Sequence, residues 1–181
     1  MHRRNLLSAI DDYALRYPEE IGVVQRFRVL LENHSDCFER DCWSGHITGS
    51  AWLVSPDQQH VLLTHHRKLN MWLQLGGHSD GDSKTDAVAV REATEESGLS
   101  VQLLQKNIFD LDVHEIPARK NDPAHYHFDV RYQLKATGEK FRISEESLDL
   151  AWVKIDELER YTEEESILRM RRKWYESNSR D

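Results

Sequence analysis

Gly76-Gly77-His78-Ser79-Asp80-Gly81-Asp82 leads into a segment that ends in Arg91-Glu92-Ala93-Thr94-Glu95-Glu96-Ser97-Gly98-Leu99. The first run is rich in glycine and aspartate. Residues 84–97 read as a helix, with Ser83 or Asp82 as the cap at its start and Gly98 as its stop. Each helical residue advances by about 100°, so Glu92, Glu95 and Glu96, at i, i+3 and i+4, project from one face. Three carboxylates in one patch repel and raise one another's pKa, which costs stability unless a cation neutralises them. A solvated acidic face is the ordinary meaning of such a cluster taken alone. The same hard oxygen donors suit Mg²⁺, Mn²⁺ or Ca²⁺, and Mg²⁺ shares its shell with water and substrate phosphates.

Upstream of this stretch, apolar residues recur at helical intervals from Leu6 to Leu31, with Pro18 between two groups, and predict a pair of amphipathic helices. Residues 33–45 read as a polar connection. Strands are expected over 47–54 and 61–64, joined by a turn at 55–60, and then over 101–104, 108–116, 125–134 and 150–153. A last amphipathic helix is expected over 163–175. Strands and helices that alternate irregularly indicate a mixed α/β or α+β domain.

The chain has 181 residues, 39% of them hydrophobic and 31% charged, which is the composition of an ordinary globular protein with a real core. No apolar run approaches the roughly 20 residues needed to span a bilayer. The N-terminal segment, with Asp11 and Asp12 in its helical pattern, lacks the form of a signal peptide, so a cytoplasmic protein is expected. A net charge of −8 without a basic stripe argues against DNA or RNA backbone as the main partner. An acidic protein that handles phosphates needs a metal between them.

Two cysteines are too few for a disulfide framework. His34, Cys37, Cys42 and His46 fall in an H-x2-C-x4-C-x3-H order that is able to supply four zinc ligands. That spacing matches no zinc module, and ordinary thiols beside unrelated histidines are the favoured reading.

From Gly77 onward the chain resembles the Nudix (MutT-like) box, G-x5-E-x7-R-E-U-x-E-E-x-G-U with U aliphatic. Gly77, Arg91, Glu92, Glu95, Glu96, Gly98 and Leu99 fall on its places, and Ala93 stands where a larger aliphatic is usual. Ser83 stands where the first glutamate belongs, and Asp80 and Asp82 are the carboxylates near enough to take over its support of Arg91. Trp72-Leu73-Gln74-Leu75-Gly76-Gly77 is similar to the W-x-x-P-G-G approach to the box, with Leu75 in place of proline. The resemblance implies a mixed sheet between helices over 45–181, with 1–44 as an N-terminal helical extension packed on it. It also implies Mg²⁺- or Mn²⁺-dependent hydrolysis of a diphosphate bond in a nucleotide-like small molecule. By position, Glu95, Glu96 and the Gly77 carbonyl would bind the ion. Glu92 would bind it too, or orient and deprotonate the attacking water, and Arg91 would hold the box together by an ion pair.

Over 125–134, His125, His127, Asp129, Arg131 and Gln133 alternate with mostly apolar residues, so one strand face is ionisable. That face either meets solvent or carries His127, Asp129 and Arg131 to the substrate. Lys68 and Trp72 are further substrate-binding candidates, for phosphate and a base ring, although Trp72 equally fits a core role. Two other readings compete with a hydrolase. A non-hydrolytic sensor should have lost box carboxylates, whereas all three helix glutamates are present. An isoprenoid diphosphate isomerase needs a cysteine in a suitable context, which neither Cys37 nor Cys42 has. Specificity resides in loops that one chain does not decode, so the group attached to the diphosphate stays open, as does the oligomeric state, a homodimer included.

Overall fold

A computed structural model describes residues 2–119, 122–145 and 147–178. The expected helix pair forms as α1 (His2–Arg16) and α2 (Ile21–Asn33), separated by a short 3-10 turn at Pro18–Glu20. Proline belongs there because it lacks the N–H that a helix interior requires. Four strands follow, β1 (His46–Val54), β2 (His60–His66), β3 (Met71–Leu73) and β4 (Leu75–His78), and then α3 (Thr85–Ser97). The chain continues through β5 (Val101–Leu103), β6 (Asp110–Ile116), β7 (His125–Ala136) and β8 (Ser147–Lys154), and a 3-10 stretch at Ile155–Arg160 leads to α4 (Glu165–Asn178).

The strands form one mixed sheet. β1 and β7 run parallel at its centre, from His46 beside His127 to Val54 beside Lys135. β4 and β2 flank β1 in antiparallel fashion, β5 and β6 flank β7, and β3 and β8 pair with β2. Alternate residues of β1 enter two different cores. Ile47, Ala51 and Leu53 pack with apolar residues of α1, α2 and α3, whereas Trp52 and Val54 pack with Ile167, Met170 and Trp174 of α4. Both faces being covered explains why all nine residues of β1 are buried.

The glycine-rich run is partly a strand that its composition does not signal, with Leu75–His78 paired to Thr48–Ala51. The start of α3 differs from expectation: Lys84 occupies the cap position without a side-chain bond, and Asp82 Oδ1 accepts the Lys84 N–H at 2.9 Å just ahead of it. Gly98 ends α3 in the left-handed conformation, at φ 69°, as its lack of a Cβ permits.

Candidate active site

Helix α3 lies against β1 because Val88, Ala89 and Ala93 form its buried side. It comes close enough that a Cβ on Gly49 would stand 2.8 Å from the Thr85 carbonyl oxygen. The register of β1 with β4 then sets Gly77 beside Gly49 and Gly76 beside Ser50. Both glycines of β4 thus face neighbours that leave no room for a side chain. A Cβ at Gly76 would run into Ser50, and one at Gly77 would run into the Glu92 carboxylate.

The three box glutamates occupy different surroundings. Glu96 is buried, and its Oε1 accepts the Gly76 N–H at 2.8 Å. Glu92 is partly buried, and its Oε1 accepts from Arg91 Nη2 at 2.9 Å. Glu95 is exposed. Arg91 also donates to the His78 carbonyl at 2.8 Å, so one guanidinium joins α3 to the end of β4. Hydrogen bonding to Glu92 outweighs burial, which acts the other way, and raises the Arg91 pKa, so the guanidinium stays cationic. Gly77, Arg91, Glu92 and Glu96 therefore come together, with Glu95 one turn further along the same helix from Glu92.

The expected substitute for the missing first glutamate does not form. Asp80 receives two hydrogen bonds from Arg40, at 2.7 and 2.6 Å, and these hold its carboxyl below the usual range. Arg91 relies on Glu92 and the His78 carbonyl instead.

The ionisable face of β7 is largely shielded from solvent. Asp129 and Arg131 are each 1% exposed. Asp129 accepts hydrogen bonds from Thr48 (2.9 Å), Ser50 (2.7 Å), Gln74 (3.2 Å) and Arg131 (2.7 Å). Arg131 also pairs with Asp110 at 3.0 Å and lies 3.4 Å from Asp112. Arg169 and Lys173 of α4 complete the network on Asp110. Three carboxylates and the start of α4 enclose the Arg131 guanidinium. Through Gln74, Asp129 is tied to the segment that enters β4.

The remaining candidates separate. Lys68 is exposed in the turn between β2 and β3. Trp72 is half-buried, stacked on His65 at 5.0 Å between ring centroids and met edge-on by Tyr161. His127 lies in a group with His46, His78, His114 and His125, and burial first, then those neighbouring imidazoles, pushes its pKa down. The H-x2-C-x4-C-x3-H order does not close on one point. His46 joins His125 and His127, while His34 and Cys42 approach Asp36, and Cys37 stands in neither group. Asp110, Asp112, Arg169 and Lys173 had no sequence signal, because they meet only through tertiary packing.

A family model of the NUDIX domain matches residues 45–174. The chain belongs to the Nudix family. It is an enzyme of the Nudix hydrolase class, with the glutamates of α3 inside the matched region. A NUDIX-family hydrolase from Clostridium perfringens is similar at 25% identity and a TM-score of 0.58, covering 71% of this chain and 95% of that one. The E. coli dihydroneopterin triphosphate pyrophosphohydrolase is similar at 17% identity and a TM-score of 0.55, covering 69% and 91%. A C. elegans Ap4A hydrolase shares the fold at 12% identity and a TM-score of 0.54, covering 75% and 98%. Among curated proteins no relative matched. No helix among the described residues is long and apolar enough to cross a membrane.

Proposed function

We propose that this Nudix enzyme hydrolyses the diphosphate bond of a nucleoside diphosphate linked to another group, or of a related nucleotide, using Mg²⁺ or Mn²⁺. One observation carries the reading: the Gly76-Gly77 backbone is clasped against the glutamates of α3, by the Gly76–Glu96 hydrogen bond and by the space that Gly77 leaves for the Glu92 carboxylate. Glu92, Glu95, Glu96 and the Gly77 carbonyl are hard oxygen donors on two adjoining elements, which is the donor set these cations take. When bound, the ion would offset the diphosphate charge and acidify a coordinated water.

The protein's own groups then have distinct tasks. Arg91 holds Glu92 through its Oε1, and the Glu92 carboxylate would orient the attacking water and accept its proton. Water adds to one phosphorus, the bridging oxygen leaves with the second phosphoryl group, and two phosphorylated products, or one and free phosphate, result. The Gly76 N–H holds Glu96 in place. Residues 45–181 form the catalytic unit in this reading, and 1–44 are a helical extension whose Leu6, Ile10 and Phe27 share its core. The E. coli and C. elegans enzymes are named for dihydroneopterin triphosphate and Ap4A, both of which carry phosphoanhydride bonds of the kind proposed here.

The test is a screen of nucleoside diphosphate derivatives, dinucleoside polyphosphates and nucleoside triphosphates with Mg²⁺ and Mn²⁺. On the best substrate, Glu95→Gln and Glu96→Gln should each lower turnover by at least about 100-fold, since each removes a charged ligand. Near-native rates in both variants would remove α3 as the site.

A further inference from the structure

Three histidines meet where β1 and β7 begin. The parallel register sets His46 beside His127, and His125 lies two residues earlier on the same face of β7. One ligating atom from each residue lies within 4.8 Å of the others. A tetrahedral ion bound at about 2.1 Å asks for nitrogens about 3.4 Å apart, a difference that side-chain rotation covers.

Ring nitrogens of two members of this group, His46 and His127, are buried without a hydrogen-bond partner among the described residues. His46 is 1% exposed, and neither of its ring nitrogens makes a well-formed hydrogen bond among the described residues, although the Cys42 carbonyl exerts a weak pull on it. Nε2 of His127 is in the same condition. Buried imidazole nitrogens without partners are costly, and two neighbouring rings that carry them, His46 and His127, indicate a missing ligand. His125 adds a further sign. Its Nδ1 lies 2.8 Å from the Pro123 carbonyl, so in the tautomer that donates there Nε2 is left bare. Metal-binding histidines are commonly held by such an outer bond.

The geometry points to a transition-metal site of the zinc class, held by His46, His125 and His127 and separate from the carboxylates of α3. Imidazole suits Zn²⁺, Cu²⁺ or Ni²⁺, whereas Mg²⁺ prefers oxygen, so the two sites take different ions. The fourth position is left to water or to His78, whose ring lies 5.1 Å from that of His46 and 5.0 Å from that of His127. Since the His78 carbonyl also receives Arg91, an ion here would brace the point where the box loop leaves the sheet. This site goes beyond the hydrolase reading, which places only a hard cation on α3.

The test is a titration of the chelator-stripped full chain with Zn²⁺ by calorimetry and with Co²⁺ by absorption, in excess Mg²⁺. One equivalent of Zn²⁺ should bind, and the Co²⁺ spectrum should be tetrahedral without a thiolate charge-transfer band. His125→Gln and His127→Gln should each weaken Zn²⁺ binding by at least about 100-fold. Cys42→Ser and the double variant Glu95→Gln, Glu96→Gln should bind as the native chain does. No uptake by the native chain overturns the proposal whether or not a variant folds. A thiolate band, which would assign the ion to His34, Asp36 and Cys42, overturns it as well. Binding lost in the glutamate double variant, or kept in both histidine variants, is equally against it.

Discussion

Oε1 of Glu96 accepts the Gly76 N–H at 2.8 Å, so the backbone of β4 and the last carboxylate of the box are held to each other. The two glycines of that strand are needed for different reasons, and substitution separates them. A Cβ at Gly76 meets the Cα and Cβ of Ser50, which cannot move without shifting β1. At Gly77 its nearest neighbours are the carboxylate atoms of Glu92, the far end of a flexible side chain. Gly76→Ala should therefore lower the melting temperature markedly, as overpacking by about 1–3 kcal/mol does. Gly77→Ala should melt near the native protein yet lose about 10-fold or more in kcat, because the carboxylate is pushed aside. Melting curves and steady-state rates of the pair check this, and equal melting losses would count against it.

Glu92 is assigned the water, not the substrate. Glu92→Gln should reduce kcat far more than it changes KM, because the contribution is made mainly in the transition state. A raised KM with native kcat would refute that role.

Asp110 is completely buried among Arg131, Arg169 and Lys173. Asp110→Asn leaves three cations short of a counter-charge and should cost about 3–5 kcal/mol in denaturant unfolding. Asp80→Asn breaks an exposed pair with Arg40 and should cost about 1 kcal/mol or less. Similar losses in the two variants would mean that the buried network carries no special weight.

The same network sets an acid limit. Burial alone would raise the Asp110 and Asp112 pKa values. For Asp110 the Arg169 hydrogen bond and the charges of Arg131 and Lys173 win, and for Asp112 the His114 bond and Arg131 win, so both are depressed. A depressed carboxyl contributes stability that is complete above its unfolded value of about 3.9 and is lost as pH falls from there toward the folded value. The native melting temperature should drop steeply below about pH 4, and an Asp110→Asn, Asp112→Asn double variant should show a shallower fall over that range. Parallel curves would contradict the assignment.

The sequence was most informative where the relevant spacing is local. The positions of Glu92, Glu95 and Glu96 on one helix follow from 3.6 residues per turn, and Gly98 marked the end of α3. β4 was hidden because Gly76-Gly77 carries no strand signal, and its partner β1 lies some two dozen residues upstream. The alternation along β7 was readable. That α4 would cover its ionisable face was not, since Arg169 and Lys173 reach Asp110 from about 60 residues away along the chain. His46 looked like the end of a local Cys/His run, and only the parallel pairing of β1 with β7 brings it to His125 and His127.

The glutamates of α3 are proposed to hold a hard divalent cation, and ligand-induced stabilisation tests this without knowledge of the substrate. An ion that binds only the folded chain at about 100 times its dissociation constant adds roughly 2.7 kcal/mol, a rise on the order of 5 to 10 °C in melting temperature for a chain of this size. Mg²⁺ should be titrated at constant ionic strength, because exposed carboxylates otherwise respond to screening alone. The native protein should show this rise, and the Glu95→Gln, Glu96→Gln double variant should show little of it. A rise of equal size in both would place the ion elsewhere and contradict the account.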